Sequence, residues 1–293
     1  MSATTKFKFP ERISLGGLYL AAKSFPHQRK WVGEAVGEVT PAVPDDKMLG
    51  LQISGHIAEG TLTESLETLK NLQSFDLSTV RFSDAILKEI AHLDQIIELR
   101  LDFVPFEDSH VAKLSPLKKL STIWFLHTAI TNKSLRQLAT MPSLQHLVLK
   151  KTDITDGGLV HLSDLKDLRT LLLPSEITDN GLEELAKLER LLHLDISNTK
   201  VTDKGLEFVG GMSNLQTLCL NDTAVGDNGL KHLSNLSNLR TLYLSGTKVT
   251  DKGIANLEKL TNLDYLEIRD NSVTDAGLQK LRAAVPACTV FGP

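Results

Sequence analysis

The chain has 293 residues, 41 % of them hydrophobic and 23 % charged, the proportions of a folded protein rather than of a disordered one. Its 32 basic and 36 acidic residues leave a net charge of −4. No basic stripe or polybasic run accompanies that balance, which argues against nucleic acid and against an anionic membrane as partners. Aromatic residues make up only 5 %, and leucine carries the apolar load, a bias that suits a repetitive core better than an enzyme pocket.

Residues 1–47 hold short apolar stretches around Phe7–Phe9, Ile13–Leu20 and Trp31–Val39, separated by Gly16, Gly17, Gly33 and Gly37 and followed by Pro41 and Pro44. This pattern predicts a β-rich N-terminal cap. The N-terminus carries no apolar core of secretory type, and no segment approaches the ~20 apolar residues of a membrane span. Two cysteines, Cys219 and Cys288, give no disulfide framework. Both observations point to a cytoplasmic protein, although a chain whose signal had been trimmed would read the same.

From residue 48 to 293 the sequence repeats itself. Val249-Thr250-Asp251-Lys252-Gly253-Ile254 recurs from Val201, Val225, Val273, Ile177 and Ile154, with weaker copies from Ile130, Phe106 and Phe82 and a degenerate one near Ala58. The anchors are 24 residues apart, with one step of 23 between Ile154 and Ile177. Within a unit, Ile254, Leu257 and Leu260 are spaced for one face of a short helix, and Leu266-x-Ile268 alternates as a strand does. The same frame predicts ten repeat strands, from Leu51/Ile53 to Leu266/Ile268, and a terminal strand holding Cys288 and Val290. One unit cannot bury its own leucines, so the units must stack, with parallel strands about 4.8 Å apart.

The recurring polar residues have structural readings. Threonine at 128, 152, 199, 223 and 247, with Asn271 once, sits where the chain leaves the strand and can bond turn backbone groups. The Thr-Asp pair starts each helix, and Asp156, Asp179, Asp203, Asp227, Asp251 and Asp275 are expected to serve their own helices rather than a metal. Glycine at 158, 181, 205, 229, 253 and 277 implies close approach between units, and Ile86, His110 and Ser134 at that phase imply looser packing earlier.

The pattern L-x-x-L-x-L-x-x-T-x-V-T-D-x-G-L resembles leucine-rich repeats over roughly residues 48–293. It is most similar to the cysteine-containing subclass of F-box proteins and GALA-type bacterial effectors, with threonine in place of the cysteine. The resemblance implies an α/β fold, a right-handed β–α superhelix with a parallel sheet on its concave face. The implied function is non-catalytic: a protein partner held on that face, with no cofactor and no metal. A terminal arm of the chain or a second copy of it is the alternative occupant. Phe9-Pro10-Glu11-Arg12-Ile13 followed by Trp31 also resembles an F-box, a helical element that Gly16-Gly17 would break. That reading implies a substrate-recognition adaptor of a ubiquitin-ligase-type complex or a bacterial effector.

Enzyme motifs such as H-E-x-x-H, C-x-x-C, G-x-S-x-G and the phosphate-binding glycine loops do not occur. His161 and His232 occupy equivalent helix positions and read as surface residues of a repeat. A Cys219/His193 pair on adjacent strands lacks oxyanion donors and reads as non-catalytic. Strand alternation instead yields a candidate protein-binding surface. With Ile123 and Phe125 in the core, the outward column reads Gln52, Asp76, Arg100, Trp124, Val148, Leu172, Asp195, Cys219, Tyr243, Glu267. Its apolar middle singles out Trp124, Val148 and Leu172, with Leu126 and Pro174 two residues along and Tyr243 further on.

Overall fold

The computed structural model describes residues 3–4, 7–9, 14–23, 29–36, 38–39, 41–53, 59–66, 69–78, 80 and 83–292. The repeat anchors at Ala58 and Phe82, Gly37, and Pro10–Ile13 of the F-box-like segment lie outside the described residues. The chain divides into two compact units, residues 1–130 with 140–144, and residues 131–139 with 145–293.

The first unit opens with strands β1 (Ala3–Thr4), β2 (Phe7–Lys8), β3 (Gly16–Ala22), β4 (Arg29–Glu34), β5 (Glu38–Val39) and β6 (Ala42–Val43). These are strands where an F-box would need helices, so the described residues of this stretch overturn the F-box reading. Then come β7 (Lys47–Ile53), α1 (Glu59–Leu66), β8 (Ser74–Asp76), α2 (Asp84–Ile90), β9 (Glu98–Arg100), α3 (Asp108–Val111) and β10 (Thr122–Trp124). β7 to β10 run parallel, in register Leu51↔Phe75↔Leu99↔Ile123. β3 lies antiparallel to β7 over seven residue pairs, from Gly16↔Ile53 to Ala22↔Lys47, and β4 lies antiparallel to β3. Leu15, Leu18 and Tyr19 are fully buried by this pairing.

The second unit alternates α4 (Asn132–Leu138), β11 (His146–Val148), α5 (Asp156–Leu159), β12 (Thr170–Leu172), α6 (Asp179–Leu185), β13 (His193–Asp195), α7 (Gly205–Val209), β14 (Thr217–Cys219), α8 (Asp227–Leu233), β15 (Thr241–Tyr243), α9 (Asp251–Ile254), β16 (Tyr265–Glu267), α10 (Asp275–Ala284) and β17 (Thr289–Phe291). Its strands are all parallel, in sequence order, with Leu147, Leu171, Leu194, Leu218, Leu242 and Leu266 in one buried row that a half-buried Val290 ends. The last strand centres on Val290; Cys288 is buried just before it. This alternation of strand and helix is the leucine-rich-repeat solenoid that the periodicity predicts.

The turns after β10, β11, β13, β14 and β15 are closed by the recurring threonine. Thr128, Thr152, Thr199, Thr223 and Thr247 donate their hydroxyls to the carbonyls of Phe125, Leu149, Ile196, Leu220 and Leu244 at 2.6–3.1 Å. Asn271 reaches back with Nδ2 to the Leu244 carbonyl and the Thr247 hydroxyl. The residue before each of these threonines and before Asn271 is left-handed, at φ 54–67° for His127, Lys151, Asn198, Asp222, Gly246 and Asp270. The chain must reverse there, and the buried carbonyl would otherwise have no donor.

The recurring aspartates act differently from the sequence reading. Threonine caps the helix: Thr178 and Thr250 accept from the Asn180 and Lys252 amides. The aspartate reaches the next repeat instead. Asp156 accepts from the Thr178 amide at 2.9 Å and hydroxyl at 2.5 Å, Asp179 from those of Thr202, and Asp227 from those of Thr250. The recurring glycine makes room for this carboxylate. A Cβ at Gly181, Gly205 or Gly229 would sit 2.5–2.7 Å from the preceding repeat's aspartate oxygen. Ile86 and Ser134, at the same phase, are fully buried, so the early units are filled by larger side chains rather than splayed.

Candidate functional site

In each unit the strand residues that flank the buried row point away from the helices. In the first unit this outward face is closed. Ser74, Asp76, Glu98 and Thr122 lie on it yet are buried. Side chains of the N-terminal strands account for this. Tyr19 stands opposite Gly50, the one residue type that leaves room, since a Cβ there would meet the Tyr19 hydroxyl at 2.6 Å. Its hydroxyl lies 2.6 Å from Ser74 Oγ, which donates in turn to Glu98 Oε2 at 2.5 Å. From β4, Arg29 donates to Asp76 at 2.5 Å, lies 3.7 Å from Glu98 and sits over the Tyr19 ring at 4.1 Å. Burial pushes the Glu98 carboxyl above its usual range, against the Ser74 hydrogen bond and the Arg29 charge, which lower it.

Trp124 and Leu126, two of the six sequence-selected residues, belong to this unit and are half-buried. Trp124 does point outward, as alternation requires. Its ring is not bare, because the Arg100 guanidinium lies 3.9 Å from the ring centre. Leu126 donates its amide to Asp102.

The second unit holds the other four. Val148 pairs with Leu172 across β11 and β12, so these two are brought together. Val148 is only 4 % exposed and Pro174 is also buried, so Leu172 supplies most of the accessible surface. Tyr243 stands three strands further on, roughly 14 Å from Leu172 at the usual strand spacing. Asp195 and Cys219 intervene, and Asp195 is held by Lys150 at 2.9 Å. Tyr243 has aromatic company that the sequence reading missed: ring centres lie 5.4 Å apart for Tyr243–Tyr265 and 5.3 Å for Tyr265–Phe291. Phe291 is 40 % exposed. Tyr265 occupies the first strand position, which shares the outward face, and the sequence reading followed only the third.

Cys219 faces Asp195, not His193, which pairs with Thr217. Burial, and then the Asp195 charge, push its thiol up to about 12. A thiol protonated at neutral pH is a poor nucleophile. His232 lies on the surface 4.0 Å from Glu207, and His161 is half-buried on its own helix. No described helix is long and apolar enough to cross a membrane.

The family model for the Leucine Rich repeat matches residues 140–163, 190–210, 235–257 and 259–281. The matched segments are leucine-rich repeats, and the strand–helix alternation described above is the leucine-rich-repeat fold. Among solved structures, an internalin of Listeria monocytogenes is 18 % identical, with 83 % of this chain and 79 % of that chain covered at a TM-score of 0.61. Internalin C2 of the same organism is 24 % identical, with 79 % and 92 % covered at a TM-score of 0.55. The likeness to both is one of fold. No curated protein matches the chain.

Proposed function

We propose that this protein is a non-catalytic binding module that holds a protein partner on the outward face of its parallel sheet. The observation that carries the reading is the composition of that face in the second unit. Leu172, Tyr243, Tyr265 and Phe291 are apolar or aromatic and half-buried or exposed, where solvent-facing strand positions are normally polar. Exposed apolar patches of this kind mark interaction surfaces, and aromatic residues dominate binding hot spots. Val148 lies beside Leu172 on the neighbouring strand and Pro174 two residues further along, and Trp124 and Leu126 occupy the corresponding positions of the first unit.

The test is an affinity titration of the native partner against surface variants. Leu172→Asp and Tyr243→Ala should each weaken binding at least about tenfold, roughly 1.4 kcal/mol. Val160→Asp, on an exposed helix-side residue, should leave it unchanged. The opposite pattern, with Val160→Asp disruptive and the sheet-face variants silent, would move the binding surface to the helices.

A further inference from the structure

Five carboxylates occupy outward strand positions or the outward position just after a strand: Asp76, Glu98 and Asp102 in the first unit, Asp195 and Glu267 in the second. Four have a cation within 4 Å. Arg29 serves Asp76 at 2.5 Å and Glu98 at 3.7 Å, Arg100 serves Asp102 at 3.7 Å, and Lys150 serves Asp195 at 2.9 Å. Among the described residues, Glu267 forms no ion pair. Its contacts are the neutral hydroxyls of Tyr265 at 3.2 Å and Ser245 at 3.4 Å. Arg269, two residues along the chain, forms none either among the described residues.

The first unit also shows what its rings and carboxylates hold. Arg29 lies over Tyr19 beside Asp76 and Glu98, and Arg100 lies over Trp124 beside Asp102. One arrangement thus occurs twice, a guanidinium seated between an aromatic ring and a carboxylate. The second unit repeats the ring and the carboxylate, with Tyr265 in ring contact with both Tyr243 and Phe291 and bonded to Glu267; Arg269 is near enough to Tyr265 to act on it by charge, but among the described residues no arginine lies over these rings or pairs with Glu267.

We propose that Tyr243, Tyr265, Phe291 and Glu267 form a socket for an arginine side chain carried by an extended segment of the bound protein. This rests on the sheet face being the binding surface. A guanidinium is planar and weakly hydrated, so it stacks on a ring while donating to a carboxylate. An ammonium is a compact, strongly hydrated charge that does this less well. The socket is open to solvent, since Phe291 is exposed and both tyrosines are partly so.

The chain contains three tyrosines, Tyr19, Tyr243 and Tyr265, so fluorotyrosine labelling of the full chain gives three fluorine NMR signals, assignable with Tyr243→Phe and Tyr265→Phe. The probe is acetyl-Gly-Arg-Gly-amide, compared with its lysine and citrulline counterparts. The Arg peptide should shift the Tyr243 and Tyr265 signals saturably and leave buried Tyr19 unmoved. The citrulline peptide, of the same shape without the charge, should bind at least about tenfold more weakly. Glu267→Gln should weaken the Arg peptide about tenfold, the loss of a charge-assisted bond, with an unchanged circular dichroism spectrum. Equal binding of the citrulline peptide, an unaffected Glu267→Gln variant, or no saturable shift at either tyrosine overturns the socket. If the peptide fails while Tyr243→Ala still weakens the native partner, only the arginine specificity falls. If both fail, the sheet-face reading falls with it.

Discussion

The coupling between repeats can be tested at a single aspartate–glycine pair. A methyl added at Gly181 would lie 2.5 Å from Asp156 Oδ1 and 2.9 Å from the Leu159 Cδ1 methyl. The carboxylate must then leave, giving up its bonds to the Thr178 amide and hydroxyl. At this half-exposed position each bond contributes about 1 kcal/mol. Replacing glycine by alanine inside a helix returns about 1 kcal/mol, so Gly181→Ala alone should destabilise by about 1 kcal/mol. Asp156→Ala alone should cost about 2 kcal/mol through the same two bonds. With Asp156 already removed, only the flexible end of Leu159 stands in the way, and Gly181→Ala should stabilise by up to about 1 kcal/mol. The sign of one substitution therefore reverses with the other. Urea denaturation of the four proteins of this cycle should give a coupling energy of about 2 kcal/mol, well above the ~0.5 kcal/mol expected of independent sites. Additive effects, or a stabilising Gly181→Ala in the unaltered chain, would refute the cross-repeat role of the carboxylate.

Three other outcomes follow from the same contacts. Thr199→Val keeps the shape but removes the donor to the buried Ile196 carbonyl, and should cost about 1–3 kcal/mol in denaturant titrations; a neutral result would show that the carbonyl needs no partner. Glu98 is held above its usual range by burial, so its contribution to stability is fully present below that range and is lost as pH rises through the raised value. The stability of Glu98→Gln relative to the unaltered chain should therefore rise as the pH is taken up from about 4.5, and a difference independent of pH would contradict the assignment. Residues 1–47, proposed as the cap, cover the edge of β7 with β3; a chain starting at Met48 should self-associate in sedimentation experiments, and a monomeric chain of equal stability would remove the capping role.

Most of the repeat was legible because its signal is periodic. Leu171, Leu194, Leu218 and Leu242 must share one buried row, since no single unit can bury them, and alternation then aims Trp124, Leu172 and Tyr243 outward. The interactions that were not legible cross between segments at no fixed period. Arg29 meets Asp76 forty-seven residues away and Tyr19 meets Ser74 at fifty-five, so neither partner is marked in the sequence. These contacts bury Asp76, Ser74 and Glu98 on the outward face of the first unit. The aspartate was assigned to its own helix because capping is a local rule. Asp156 instead bonds the threonine of the next unit's Thr-Asp pair, Thr178, twenty-two residues on, a contact that a local capping rule does not consider. The left-handed turn residue is signalled where it is His127, Asn198, Asp222, Gly246 or Asp270 but not where it is Lys151.

A protein partner seated on the outward sheet face lies within reach of a photo-crosslinker placed on that face. A photoreactive phenylalanine analogue placed at Leu172 should capture the partner in good yield, and the same analogue at Val160, exposed on the helix side, should not. Capture from Val160 with none from Leu172 would contradict the account.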